Sequence, residues 1–183
     1  MRLVLLGPPG SGKGTQAAAL ARHFNVPVIS SGELLRGRAA GGGEESRHVA
    51  ELLVRGELVP DELAVTVVNE ALKGAGTDGY IIEGFPRTVA QAEHLDAPPI
   101  DAVVHLAVPD EVARDRIAGR SGHGRSDDAR RDIVERRLRD YHSETEPLLD
   151  LYGRRGVLRS VDGGQTLEAV TAEILRALDA HRR

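Results

Sequence analysis

LVLLGPPGSGKGT, residues 3–15, is the stretch that decides the fold of this chain. Its first four residues are apolar, which suits a buried β-strand and is too short to span a membrane. After the glycine-rich turn, apolar residues recur at the spacing of one helix face, at Ala18, Leu20, Ala21 and Phe24. A strand, a glycine-rich loop and a helix in this order are the context that a phosphate-binding loop requires.

The residue types of this loop suit a polyphosphate ligand. Glycines let consecutive backbone N–H groups approach phosphate oxygens, and the N-terminus of the following helix adds partial positive charge. Lys13 is expected to reach the β- and γ-phosphates. The usual motif places a hydroxyl directly after the lysine, whereas here Gly14 follows and the hydroxyl comes at Thr15. Thr15 is therefore expected to face Mg²⁺ less directly or to contact phosphate.

Length and composition indicate one globular domain. The chain has 183 residues, of which 40% are hydrophobic, so it can bury a core of its own. A net charge of −4 and an aromatic content of 3% argue against general nucleic-acid binding. The absence of cysteine excludes disulfides and thiolate metal sites and is compatible with a reducing cytosol. Because the phosphate loop begins so early, we expect no removable signal peptide and a cytoplasmic location.

Strands and helices are predicted to alternate along the chain. After the first strand, apolar runs predict strands at residues 26–29, 80–83, 103–108 and 157–161. Helical patterns are predicted from a cap near Ser30, over 44–55, from Asp61, from a cap at Asp110, over 129–152 with a kink at Pro147, and over 167–178. This alternation predicts an α/β fold with a parallel sheet. The two short helices before residue 60 suggest a mobile flap over the phosphate loop.

A second site is indicated where a predicted strand ends at Glu83. The residues that follow are Gly84-Phe85-Pro86-Arg87-Thr88, a tight turn that carries an arginine. Open α/β sheets bind ligands outside the carboxyl ends of their strands, so Glu83 and Arg87 are candidate ligand contacts. A capping glutamate beside a surface arginine would fit the same residues. His105, inside another strand, is expected to be a structural histidine rather than a ligand.

Several further motifs appear in a fixed order. They are residues 7–16, Ser31-Gly32 with Arg36, residues 56–59, residues 84–88 with Gln91, Asp115-Arg116 with Arg120, residues 125–128, and Arg137-Leu138 followed by Tyr141-His142. Through these motifs, the chain resembles the adenylate kinases over essentially its whole length. The resemblance implies a phosphate-loop NTPase fold in which a five-stranded parallel sheet is flanked by helices on both faces. It also implies a single kinase domain over residues 1–183, with a core of 1–29, 60–120 and 127–183, an AMP-binding flap of 30–59 and a short lid of 121–126.

The resemblance also implies a function and the residues that carry it. The function is Mg²⁺-dependent, reversible phosphoryl transfer from ATP to AMP, which gives two ADP. The implied ATP contacts are Gly10, Ser11, Gly12, Lys13, Gly14, Thr15, Arg116, Arg120 and Gln165. The implied AMP contacts are Ser31, Arg36, Glu57, Leu58, Val59, Gly84, Phe85, Pro86, Arg87, Gln91, Arg125 and Arg137. The implied catalytic cations are Lys13, Arg87, Arg120, Arg125 and Arg137. They would stabilise the charge of the transferring group, and no general base is needed because the acceptor is a phosphate oxygen.

The chain departs from the family pattern at four places. Glu83 replaces the usual aspartate, where it could orient Mg²⁺-bound water, and Ser31 replaces threonine. The lid lacks the zinc-binding cysteines of longer forms, so we expect no protein zinc site. The resemblance implies a Mg²⁺ that is held mainly by nucleotide phosphates and water. One extra residue precedes the Arg-Leu pair, which favours Arg137 over Arg136 for the transferring phosphate.

Two alternatives to this function are considered. A UMP/CMP kinase would usually lack the hydroxyl at Ser31 and carry asparagine at the position of Gln91. A non-catalytic sensor of ATP and AMP would not need to keep Lys13 and the arginines. The expected protein is a monomer whose partners are ATP, AMP and ADP, without nucleic acid or membrane.

Overall fold

The computed structural model describes residues 1–75, 78–95, 99–119 and 130–180. Its sheet has five parallel strands, which are β1 (Arg2–Leu6), β2 (Val28–Ser30), β3 (Tyr80–Glu83), β4 (Ala102–Ala107) and β5 (Leu158–Asp162). The strand order is β2-β3-β1-β4-β5, so β1 lies at the centre and pairs with both β3 and β4. The α/β fold with a five-stranded parallel sheet is therefore confirmed.

Helices connect the strands within the described part of the chain. They are α1 (Lys13–Phe24), α2 (Ser31–Ala39), α3 (Glu44–Arg55), α4 (Asp61–Gly74), α5 (Val89–Glu93), α6 (Asp110–Ala118), α7 (Arg131–Asp140), α8 (Pro147–Arg154) and α9 (Leu167–Asp179). A π-helical turn, Tyr141–Thr145, joins α7 to α8. No helix among the described residues is long and apolar enough to cross a membrane.

The sheet separates two apolar cores. Successive residues of a strand point to opposite faces, and β1 accordingly sends Leu3 and Leu5 to one core and Val4 and Leu6 to the other. The core that contains Leu3 and Leu5 is covered by α1 and α9, and the opposite core includes residues of α4 and α8. Helices therefore flank the sheet on both faces, as the resemblance implies.

The long helix predicted for residues 129–152 is wrong as a single element. Its first residue, Ala129, lies outside the described residues, and Arg130 precedes α7. The rest divides into α7, the π-helical turn and α8, with Glu146 between the last two. The backbone N–H of Glu146 donates to the carbonyl of Tyr141 at 2.8 Å, five residues earlier. Pro147 is the first residue of α8, where its missing N–H is not needed. The break therefore precedes the proline and takes the form of a widened turn.

Two smaller expectations also need correction, and one helix was not predicted. In α1, Ala18 is exposed, whereas Ala17 packs into the core that contains Leu3 and Leu5. Gln16 is also buried, and its amide donates to the carbonyl of Leu167 at 3.0 Å. Asp110 is the first helical residue of α6 and Pro109 occupies the cap position. Helix α5 was not predicted at all, although its cap, Thr88, accepts a hydrogen bond from the backbone N–H of Gln91.

Candidate active site

The glycine-rich loop joins β1 to α1 at the carboxyl end of the central strand. Gly10 and Gly12 have φ angles of 83° and 93°, a region that favours glycine. A Cβ at Gly10 would lie 2.5 Å from the carbonyl oxygen of Ala113, so only glycine lets this loop approach α6 so closely. Gly12 is the residue before α1, which places the N-terminus of that helix at the end of the loop. The backbone therefore has the form expected of a phosphate-binding loop.

Lys13 keeps its ammonium group at this loop. Its Nζ donates hydrogen bonds to the carbonyl oxygens of Gly7 at 2.7 Å and Pro8 at 2.8 Å. These contacts hold a positive charge beside the N-terminus of α1, where the helix dipole also favours an anion. The lysine and the backbone thus present positive charge at the same place.

A cavity of about 210 Å³ lies against the loop, and we call it the loop cavity. Its lining includes Gly10, Gly12, Lys13 and Gly14 of the loop together with Glu83, Arg87 and Arg137. A second cavity of about 630 Å³, the flap cavity, is lined by residues of α2, of α3 and of the turn after β3. Both linings contain Gly32, Gly56, Leu58, Gly84, Arg87 and Arg137. The two cavities therefore adjoin, and two guanidinium groups lie at their junction.

The flap cavity has an excess of positive charge in its lining. Its charged lining residues are Arg36, Arg87, Arg130, Arg137 and Glu57. The carboxylate of Glu57 forms an ion pair with Arg136, which lines neither cavity. Arginine is suited to bidentate contacts with phosphate, so this lining fits a phosphorylated ligand.

Arg87 is positioned by the turn that follows β3. Its Nε donates to the carbonyl of Gly84 at 2.9 Å, and its own carbonyl accepts from the hydroxyl of Thr145 at 2.8 Å. The Ser31 hydroxyl also donates to the Gly84 carbonyl, at 2.7 Å. Gly84 has a φ of 78°, and a Cβ there would lie 2.7 Å from that hydroxyl oxygen. The turn and the start of α2 are therefore held in close contact, with a cis peptide between Phe85 and Pro86.

Most of the expected AMP contacts lie together around the flap cavity. Its lining includes Ser31, Arg36, Glu57, Leu58, Val59, Gly84, Phe85, Arg87, Gln91 and Arg137. Pro86 lines the loop cavity instead. The sequence favoured Arg137 over Arg136 as the phosphate contact only because of the spacing of the motif. In the structure, Arg137 lines both cavities.

The expected ATP contacts are more dispersed. Gly10, Gly12, Lys13 and Gly14 line the loop cavity, Ser11 is buried within the loop, and Thr15 is exposed. Arg116 donates to the backbone carbonyls of Gly163 at 2.7 Å and Gln165 at 3.4 Å, so it contacts the loop between β5 and α9. Arg116 and Gln165 are near one another but line neither cavity. Arg120, Arg125 and the lid of residues 121–126 lie outside the described residues.

Sequence reasoning missed several residues of the site. Asp140, the last residue of α7, and Tyr141 and Thr145 of the π-helical turn line the loop cavity. His105 has the structural role that was expected. Its Nε2 lies 3.0 Å from the Tyr141 hydroxyl, its Nδ1 lies 3.3 Å from that of Ser160, and burial lowers its pKa. The Tyr141-His142 pair is one of the motifs identified in the sequence. The location of Tyr141 beside the loop cavity depends on the π-helical turn, which the sequence did not predict.

The donor set beside the loop includes a carboxylate suited to Mg²⁺. Glu83 lines the loop cavity, and its Oε1 accepts a hydrogen bond from the Ser30 hydroxyl at 2.6 Å. A carboxylate held in this way fits the oxygen preference of Mg²⁺. Within the described ranges, no group of three or more His, Cys, Asp or Glu side chains could hold a metal ion.

The parallel sheet, the glycine-rich loop and the two adjoining cavities together define the class of this protein. A parallel sheet whose central strand ends in this loop is a phosphate-loop NTPase fold, and the adjoining arginine-lined cavity adds room for a second phosphorylated ligand. The family model described as "Adenylate kinase" matches residues 5–157. The chain belongs to the adenylate kinase family.

Individual relatives agree with the family model. The adenylate kinase of Xanthomonas campestris pv. campestris (strain 8004) is 45% identical over 97% of this chain and 99% of its own length. That of Synechococcus sp. (strain JA-2-3B'a(2-13)) is 41% identical over 100% and 98%, and that of Parvibaculum lavamentivorans is 40% identical over 100% and 94%. The predicted class of enzyme, a phosphotransferase that works on adenine nucleotides, is thereby confirmed.

Proposed function

We propose that the chain transfers the terminal phosphoryl group of ATP to AMP, reversibly and with Mg²⁺, so that two ADP are formed. The observation that carries this proposal is the junction of the two cavities, where both linings contain Arg87 and Arg137. Phosphates of ATP on the glycine-rich loop and the phosphate of AMP in the flap cavity would meet at this junction. In-line transfer requires such an end-to-end arrangement of the two nucleotides.

Three described cations would stabilise the transferring group. Lys13 would act from the loop, and Arg87 and Arg137 would act from other parts of the loop-cavity lining. The transition state spreads negative charge over the phosphoryl oxygens, so cations already in place stabilise it without reorganisation. Arg125 would add charge from the lid, and Arg120 would add charge from the end of the core segment that precedes it. The acceptor is a phosphate oxygen and needs no general base, in keeping with the contacts of His105 to Tyr141 and Ser160.

Mg²⁺ would supply charge neutralisation at the ATP phosphates, and this chain's residues would orient its hydration shell. Glu83 is the better candidate for that contact, because it lines the loop cavity whereas Thr15 is exposed and lines neither cavity. A single carboxylate suits Mg²⁺, which usually keeps several waters and binds mainly through substrate phosphates.

The nucleoside sites follow from the same arrangement. The flap, residues 30–59, would hold AMP through Ser31, Arg36 and the backbone of residues 57–59, and Gln91 would contact AMP from the core. The flap and the short lid would close over the substrates and exclude water, which keeps hydrolysis from competing. Arg116 and Gln165 belong to the core of residues 1–29, 60–120 and 127–183, and they would hold the adenosine part of ATP. We further propose a cytoplasmic monomer.

The proposal is tested by measuring ADP formation from MgATP with AMP, UMP, CMP, GMP or IMP as acceptor. We expect two ADP for each AMP consumed, a strong preference for AMP, and no turnover when EDTA replaces Mg²⁺. Preference for UMP or CMP would reassign the acceptor. Binding of ATP and AMP without any ADP formation would overturn the proposal in favour of a sensor.

A further inference from the structure

Gln91 lines the flap cavity with both ends of its side-chain amide already hydrogen-bonded. The residue is 2% exposed. Its Oε1 accepts from the backbone N–H of Arg87 at 2.7 Å, and its Nε2 donates to Oδ1 of Asp61 at 2.7 Å. A backbone N–H can only donate and a carboxylate can only accept, so these two partners determine which end of the amide is oxygen.

Asp61 is the residue that holds the nitrogen end. It is the first residue of α4, and its second carboxylate oxygen accepts from the Thr88 hydroxyl at 2.8 Å. Turning the Gln91 amide over would put oxygen against this carboxylate, and a hydrogen bond to a charged group would become a repulsion. Asp61 therefore opposes the flipped amide more strongly than a neutral partner would.

The fixed amide still has hydrogen-bonding capacity for a ligand. One Nε2–H and one lone pair of Oε1 remain after the two bonds to the protein. Ser31 and Gln91 are the described side chains of this lining that carry both a donor and an acceptor, and the Ser31 hydroxyl already donates to Gly84. Gln91 is thus the side chain there that can offer a donor and an acceptor together.

We propose that Asp61 is a positioning residue that sets the selectivity for the acceptor base, by holding the Gln91 amide in one orientation. A 6-amino purine presents a donor beside a ring acceptor, and a 6-oxo purine presents the reverse order at the same two atoms. In one pose, a fixed amide can pair with only one of these orders. The inference rests on the proposed function, since an enzyme that works on adenine nucleotides needs the orientation that matches the 6-amino order.

The test is the ratio of kcat/KM for AMP to that for IMP, measured with MgATP in wild type and in Asp61→Asn. Asparagine can donate or accept, so the variant no longer opposes a flipped Gln91 amide. We expect the AMP/IMP ratio to fall by about tenfold, the size of effect that loss of one charged hydrogen bond produces. The Arg87 N–H remains and favours the original orientation, so some preference for AMP should persist. The KM for MgATP should not change.

Thr88→Val is the matched control. It removes the other hydrogen bond to Asp61 and the cap of α5 but leaves the contact between Asp61 and Gln91. It should lower the Tm and leave the AMP/IMP ratio unchanged.

Two results would overturn the inference. One is an Asp61→Asn enzyme that loses activity equally with AMP and IMP, since Asp61 would then only stabilise the turn. The other is wild-type enzyme that uses IMP as well as AMP, which counts against the inference whether or not the variant folds. Wild-type enzyme that phosphorylates no nucleoside monophosphate would be a different result, because it refutes the proposed function itself.

Discussion

Arg136 forms an ion pair with Glu57 and so connects α7 to the residues that follow α3. Arg136 and Arg137 are adjacent but have different surroundings. Arg136 is engaged with Glu57, whereas Arg137 lines both cavities at their junction. The side chains of Arg136 and Glu57 are 42% and 33% exposed, so their contact is worth at most about 1 kcal/mol of stability.

Arg137→Ala should lower kcat by at least about 100-fold, because it removes a cation from the place where the phosphoryl charge develops. Arg136→Ala is the control and should change kcat by no more than a few fold, with a small decrease in Tm. Steady-state kinetics in both directions of the reaction compare the two variants. A larger effect on kcat from Arg136 than from Arg137 would reverse the assignment.

Lys13→Met should lower kcat by about 100-fold or more, since the ammonium is held at the loop by the carbonyls of Gly7 and Pro8. The chain offers a matched control in Lys73, its only other lysine, which is exposed on α4. Lys73→Met should retain wild-type kcat. Binding of MgATP by calorimetry distinguishes a loss of turnover from a loss of affinity, and an unchanged kcat in Lys13→Met would remove the lysine from the mechanism.

Gly56→Ala should destabilise the fold by about 1 to 3 kcal/mol, measured by urea unfolding. Gly56 has a φ of 70°, and an added Cβ would lie 2.6 Å from Cγ2 of Ile133 in α7. Gly37→Ala is the control, because Gly37 lies within α2 and a Cβ there meets nothing within 4 Å. That change should leave stability unchanged or raise it by up to about 1 kcal/mol. Equal effects of the two substitutions would contradict the close approach of Gly56 to α7.

The sequence predicted those helices, strands and turns whose bounds depend on residues that are close together along the chain. The helix predicted at residues 44–55 matches α3 because acidic residues begin it and Gly56 caps it. The strand predicted at 80–83 matches β3 because residues 80–82 form a buried, largely apolar run. The glycine-rich loop was predictable for a similar reason, since few other backbones need that spacing of glycines.

Long-range contacts explain what the sequence could not predict. Asp61 resembled an ordinary acidic residue at a helix start, but its partners Thr88 and Gln91 are 27 and 30 residues away. Gln16 is not part of the apolar face predicted for α1, and its burial depends on α9, where the carbonyl of Leu167 accepts from its amide. The π-helical turn that brings Tyr141 and Thr145 to the loop cavity has no hydrophobic period of its own.

His142 should stabilise the protein more at pH 6 than at pH 8.5. Its hydrogen bond to Glu146, assisted by one to Asp110, raises its pKa above the ordinary value of 6.5. The folded state therefore binds the proton more tightly than the unfolded state does. The stabilisation is complete below 6.5 and is lost as the pH rises through the raised pKa. The difference in unfolding free energy between wild type and His142→Gln should shrink as the pH increases, and a constant difference would exclude a protonated His142.

His105 should have the opposite effect on the pH dependence of stability. Burial is the main reason that its pKa is lowered, so the folded state holds it neutral while the unfolded state takes up a proton near pH 6.5. Acidification from pH 7 to pH 5 should therefore destabilise wild type through this residue. His105→Gln can keep one hydrogen bond to the Tyr141 hydroxyl but cannot titrate, so its unfolding free energy should fall less over the same range. Urea unfolding at several pH values compares the two proteins, and a steeper loss in the variant would contradict a neutral, buried His105.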